Sequence, residues 1–167
     1  MDKLTHLIER AEGLINQLEN LLPAKISPVD WQAFAWRWVK QNNQGRLQAV
    51  SHPHHIALAD IYFVDAQKTQ IVRNTQQFLL GFTANNVLLT GARGTGKSSL
   101  IKALLTAYAA EGLRLIEVEK HDLVHLPEIV EIIRNRPEKF IIFCDDLTFD
   151  ANDESYKALK VVLDGSV

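Results

Sequence analysis

Apolar residues recur along this chain with more than one period, and the changes of period mark its elements. Leu4, Leu7, Ile8, Ala11, Leu14, Ile15, Leu18, Leu21 and Leu22 fall at threes and fours, which predicts an amphipathic helix ending near Pro23. Such a stripe can pack on its own domain or form a coiled-coil or oligomer contact; about three heptads is the short end for a coiled coil. After a loop at 23–28, Trp31, Phe34 and Trp38 share a helical face with Trp36, Arg37 and Lys40 turned elsewhere. That predicts a second helix whose aromatic stripe is core. Aromatics beside basic residues can also stack on bases, but two cations make a thin basic patch. The polar stretch 41–45 then separates an amino-terminal helical region, 1–45, from a second unit over 46–167.

Within that unit, Ile71, Val72, Phe78, Leu79 and Leu80 predict a helix from Asp65 that Gly81 terminates. Val87-Leu88-Leu89-Thr90 is a short apolar run suited to a strand covered on both faces. Leu100, Ile101, Leu104, Leu105 and Tyr108 return to helical spacing, and Gly112 stands where that helix would stop. Leu113-Arg114-Leu115-Ile116-Glu117-Val118 alternates as a strand, and a helix follows from about Asp122 through Ile133, closed by Pro137. Phe140-Ile141-Ile142-Phe143-Cys144 is a third strand. Strands alternating with helices predict an α/β fold with a parallel sheet covered on both sides.

Composition narrows the picture modestly. The 167 residues are 47% apolar and 23% charged, as in a soluble globular domain, with a net charge of −2 at pH 7. No global attraction to nucleic acid or anionic lipid follows from that balance. The single cysteine, Cys144, has no internal disulfide partner. No run approaches the ~20 apolar residues of a membrane span, and the amino terminus lacks the uninterrupted apolar core of a signal peptide. A cytoplasmic location is expected. His52-Pro53-His54-His55 matches no common zinc spacing and reads as a proline-stiffened loop.

The chemistry is concentrated in Gly91-Ala92-Arg93-Gly94-Thr95-Gly96-Lys97-Ser98. This is G-x-x-x-x-G-K-S, a glycine-rich loop whose backbone N–H groups can cradle phosphates between a strand and a helix. Lys97 offers a cation to the β- and γ-phosphates, Ser98 a hydroxyl to Mg²⁺, and Ser99 extends the cradle into the following helix, whose dipole favours the same anion. The third strand ends in Asp145-Asp146. Asp145 is placed to hold Mg²⁺ opposite Ser98, and Asp146 to polarise an attacking water as general base. Alone, paired aspartates could merely end a strand; behind the phosphate loop they read as its second half.

Together with Asn85-Asn86-Val87-Leu88-Leu89, Asp122-Leu123-Val124 and Arg136-Pro137-Glu138-Lys139-Phe140, these motifs resemble an AAA+-type ATPase. More narrowly, they are similar to bacterial single-module ATPases that form a family of unknown function, as are Ser155-Tyr156-Lys157-Ala158-Leu159-Lys160 and Leu163-Asp164-Gly165-Ser166-Val167. The resemblance covers roughly 46–167. It implies ATP or ADP as ligand with Mg²⁺, hydrolysis driving the remodelling of a protein partner, and a homo-oligomer. It also implies a sheet whose fourth strand lies between the phosphate-loop strand and the acidic strand. That strand, the sensor residues, the arginine finger and the helical lid are expected beyond residue 167, so the isolated chain is expected to hydrolyse poorly. Two positions depart from the pattern: Asp146 stands where AAA+ proteins carry glutamate, and Phe63 where the adenine-side loop (Asp60-Ile61-Tyr62-Phe63) has glycine. They support an alternative, a nucleotide-binding regulatory or scaffold module with little hydrolysis. A P-loop kinase or GTPase is a further alternative, disfavoured by the lack of an N-K-x-D sequence.

Overall fold

The computed structural model describes residues 28–41 and 44–148, with positions 5, 6, 8, 10, 12, 13, 159 and 160. The helix predicted over 4–22 therefore lies largely outside the described residues, as do most of 155–167; the described positions 5, 6, 8, 10, 12 and 13 are helical.

Four strands, β1 (Ala35–Gln41), β2 (Gln44–Ala49), β3 (Leu113–Glu117) and β4 (Lys139–Phe143), form one sheet in the order β2-β1-β3-β4. The pair β1–β2 is antiparallel, whereas β1–β3 and β3–β4 are parallel, so the sheet is mixed with three parallel strands. Three α-helices within 44–148 pack with it in an α/β fold: α1 (Asp65–Leu79), α2 (Lys97–Tyr108) and α3 (Leu126–Ile133). Among the described residues no helix is long and apolar enough to cross a membrane.

The sheet is covered on both faces. Ala35, Leu113 and Leu115 pack with Ile71 of α1 and Leu100, Ala103 and Leu104 of α2. On the opposite face Trp36, Trp38 and Ile116 pack with Leu126 and Ile129 of α3. Alternate residues of β3 thus feed different clusters, as a strand buried on both faces requires.

The helix predicted around Trp31, Phe34 and Trp38 is not formed; from Ala35 on the stretch is β1, and Trp31 and Phe34 precede it. Trp36 and Trp38 are each 1% exposed on one face with exposed Arg37 between them, while Phe34 is 46% exposed. Trp36, Arg37 and Trp38 alternate with period two, and pairing with β3 (Trp36 opposite Ile116) overrides the helical spacing. The polar stretch 41–45 holds the facing ends of β1 and β2, with Gln41 opposite Gln44.

The strand predicted at 87–90 is also absent. Residues 83–90 have no regular structure, and Val87 and Leu88 are 49% and 75% exposed. An apolar run becomes a strand only where neighbours take up its backbone groups. No ladder joins 87–90 to β4 among the described residues, although a P-loop kinase or GTPase order would place the two side by side. The other expected elements are present with shifted ends. After α2 a 3₁₀ turn (Ala109–Glu111) leads to Gly112, and α3 begins late because Lys120–His125 forms a 3₁₀ helix ahead of Pro127.

Candidate functional site

The segment 91–96 forms no regular structure and leads straight into α2. Gly94 and Gly96 have φ of 81° and 83°, left-handed values that a Cβ would strain, and Gly96 is the N-cap of α2. The helix starts with the bond from the Leu100 N–H to the Gly96 carbonyl, at 2.9 Å. Gly91, Ala92, Arg93, Gly94 and Thr95 are exposed; Gly96, Lys97, Ser98 and Ser99 are half-buried. The first-turn N–H groups of α2 therefore open beside the loop, as an anion-accepting helix end requires.

Lys97 and Thr95 hold the loop in a compact form. The Lys97 ammonium donates to the carbonyls of Gly91 at 3.0 Å and Ala92 at 2.8 Å, and the Thr95 hydroxyl also donates to Ala92, at 2.8 Å. The cation's hydrogen-bonding capacity is turned inward onto the loop's own backbone. An incoming phosphate would exchange those neutral acceptors for charged ones, a stronger pairing.

The acidic strand end reaches the same place. Asp145 follows β4, and its Oδ2 accepts the Ser98 hydroxyl at 2.5 Å, while its Oδ1 accepts the Asp146 backbone N–H at 3.0 Å. A serine at the start of α2 and an aspartate forty-seven residues later are thereby brought into direct contact. Asp146 takes a left-handed φ of 50°, a conformation aspartate tolerates better than most residues. Among the described residues its carboxylate has no hydrogen-bond or ion-pair partner, and Lys97 does not reach it.

The structure also places the other residues that the sequence singled out. The 3₁₀ turn Leu58–Asp60 packs against α2, and Ile61 is buried in the same cluster as Leu100. Tyr62 and Phe63 project outward at 68% and 99% exposure, and Phe63 holds a φ of 63°. For a bulky residue that backbone costs about 1–3 kcal/mol. Cys144, ahead of Asp145, has its thiol pushed up to about 11 by burial and by the Asp145 and Glu119 carboxylates. His52, His54 and His55 lie exposed in the loop after β2.

The Ser98–Asp145 contact is the meeting that the phosphate loop and the acidic strand end foresaw. The inward turn of Lys97 was not foreseen, because nothing in G-x-x-x-x-G-K-S distinguishes a lysine aimed at a ligand from one aimed at its own loop. Nor did any motif flag Asn74, whose side chain bonds both backbone groups of Asn85.

A family model described as Protein of unknown function (DUF815) matches residues 30–167. No curated protein and no solved structure matches the chain.

Proposed function

The chain belongs to the DUF815 family, and within it we propose that this protein is an ATP-binding, AAA+-type ATPase whose phosphate loop is 91–98. The observation that carries this reading is the 2.5 Å contact of Ser98 with Asp145. A hydroxyl and a carboxylate that already touch are the hard oxygen donors a Mg²⁺–nucleotide complex uses. Ser98 and Asp145 would hold the Mg²⁺, which supplies charge neutralisation at the phosphate oxygens. Lys97 binds the β- and γ-phosphates after leaving the Gly91 and Ala92 carbonyls. The N–H groups of 92–99 line the cradle, with Arg93 at its exposed rim. Asp146, whose carboxylate has no partner among the described residues, takes the proton of the attacking water.

The purpose proposed for hydrolysis is remodelling of a protein partner by a homo-oligomer in the cytoplasm, supported by the family resemblance of the motifs. A second reading, a nucleotide-responsive scaffold with little turnover, is favoured by one feature: Asp146 is a shorter base than glutamate and sits on a left-handed backbone. The unlinked 87–90 segment disfavours a kinase or GTPase arrangement.

Titration with a fluorescent ATP analogue tests the reading. Lys97→Ala removes charge-assisted bonds of ~1.5–3 kcal/mol each and should weaken binding at least tenfold. Asp145→Asn should weaken only the Mg²⁺-dependent part. In the complete protein, Asp146→Asn should leave affinity intact and cut turnover ~10²–10⁴-fold. Equal affinity in wild type and Lys97→Ala removes the phosphate-binding reading; unchanged turnover in Asp146→Asn removes Asp146 as the base and leaves it a strand-end residue.

A further inference from the structure

The chain that enters the phosphate loop lacks the support a sheet would give it. Leaving α1, the Phe82 N–H bonds to the Gln77 carbonyl at 2.9 Å. From there to Thr95, no backbone-to-backbone hydrogen bond is made among the described residues. Leu89 packs against the cluster under α2, but apolar packing does not fix a backbone's direction.

Direction comes instead from one side chain on α1. The Asn74 Nδ2 donates to the Asn85 carbonyl at 2.8 Å, and the Asn74 Oδ1 accepts the Asn85 N–H at 2.9 Å. The planar amide thus presents one donor and one acceptor to both main-chain groups of one residue, as a neighbouring strand would. The helix that carries it is itself anchored. Ile71 and Thr75 are buried, the Lys68 ammonium donates to the Ile61 carbonyl at 2.8 Å, and the Gln76 Nε2 donates to the Tyr108 hydroxyl at 3.1 Å. Tyr108 is the last residue of α2. One helix therefore braces the phosphate loop on both flanks, through Asn74 before it and through Gln76 at the far end of the helix it opens.

We propose that Asn74 is a positioning residue for the phosphate loop, its amide replacing a strand ladder and pre-organising 86–96 for nucleotide. This rests on the phosphate-binding reading above. A loop that is free to wander must be ordered when ligand binds, and that ordering subtracts from affinity. Asn74→Ala suits the helix, since alanine is the best helix former, so α1 survives the change. Asn85→Ala is the matched control, because the contact uses only the backbone of Asn85.

The experiment combines hydrogen exchange of the nucleotide-free protein with titration by a fluorescent ATP analogue. Asn74→Ala should speed exchange of the Asn85 amide, the N–H that the Asn74 side chain holds, at least tenfold and weaken the analogue about tenfold, leaving exchange in β3 unchanged. Asn74→Asp, which keeps the acceptor but sets a carboxylate oxygen against the Asn85 carbonyl, should weaken the analogue likewise. Asn85→Ala should match wild type in both. Unchanged exchange or unchanged affinity in Asn74→Ala overturns the proposal, as does faster exchange spread through β3. Should wild type fail to bind the analogue, the phosphate reading falls separately, and exchange alone decides whether Asn74 holds the loop.

Discussion

The face of the sheet built on β1 and β3 and the approach to the phosphate loop are equally apolar in sequence, yet they fold in opposite ways. Ile116 is fully buried between two ladders, while Leu88 is 75% exposed in a segment that has none among the described residues. Hydrophobicity did not decide between them; the availability of hydrogen-bonding neighbours did. The difference suits their tasks. Backbone N–H groups in β3 already have partners, so they can stabilise but not recognise. Those of 91–96 are uncommitted to any ladder and remain available to an anion.

The largest effect that tests this contrast lies in the sheet. Trp36 is 1% exposed, pairs opposite Ile116, and its indole N–H donates to the Asp30 carbonyl at 3.1 Å. Trp36→Ala should cost about 3–5 kcal/mol of unfolding free energy, read from the denaturant midpoint. A cost near zero would mean that the buried face does not hold the fold.

A smaller effect is expected at Cys144, which follows β4 and packs against the cluster on the α3 face. Its thiol titrates near 11 instead of 9.0, so it stays protonated below that value and gains thiolate only as pH rises through it. At pH 8 alkylation in the native protein should run ~100-fold slower than in the denatured chain, from thiolate fraction alone. The native rate should keep climbing past pH 9. Equal rates at pH 8 would place the thiol in the open, with the loop and not with the sheet.

The smallest effect belongs to the loop approach. Leu88→Ser removes an exposed side chain from a segment without a ladder and should change stability by less than about 0.5 kcal/mol. A loss above about 2 kcal/mol would show that 87–90 is buried in solution, erasing the contrast with β3.

The sequence revealed unequal parts of this arrangement. β3, β4, α1 and α2 were legible because each carries an apolar period long enough to name its type, bounded by Gly81, Gly112 or the acidic strand end. The meeting of Ser98 with Asp145 was legible because an apolar strand ending in acid follows the phosphate loop. β1 was misread: Trp31, Phe34 and Trp38 satisfy a helical spacing by coincidence, and the alternation of Ala35-Trp36-Arg37-Trp38 becomes decisive only beside β3. The run 87–90 was read as a strand from its composition, yet a strand is a property of pairs. Asn74 was invisible for the same reason, since its partner is backbone and leaves no trace in residue type.

The placement of the three tryptophans has an optical consequence. Trp31, Trp36 and Trp38 all belong to the cluster on the α3 face of the sheet, with Trp31 5.7 Å from Trp36 and the Arg136 guanidinium 4.4 Å above the Trp31 ring. The phosphate loop and α2 lie over the other face and contain none. Intrinsic indole emission is therefore a gauge of the sheet's closed side alone. It will follow unfolding faithfully and stay nearly dark to whatever occupies 91–98. A reporter for that loop has to be brought in, either on the ligand or as a fluorophore installed at the exposed Phe63.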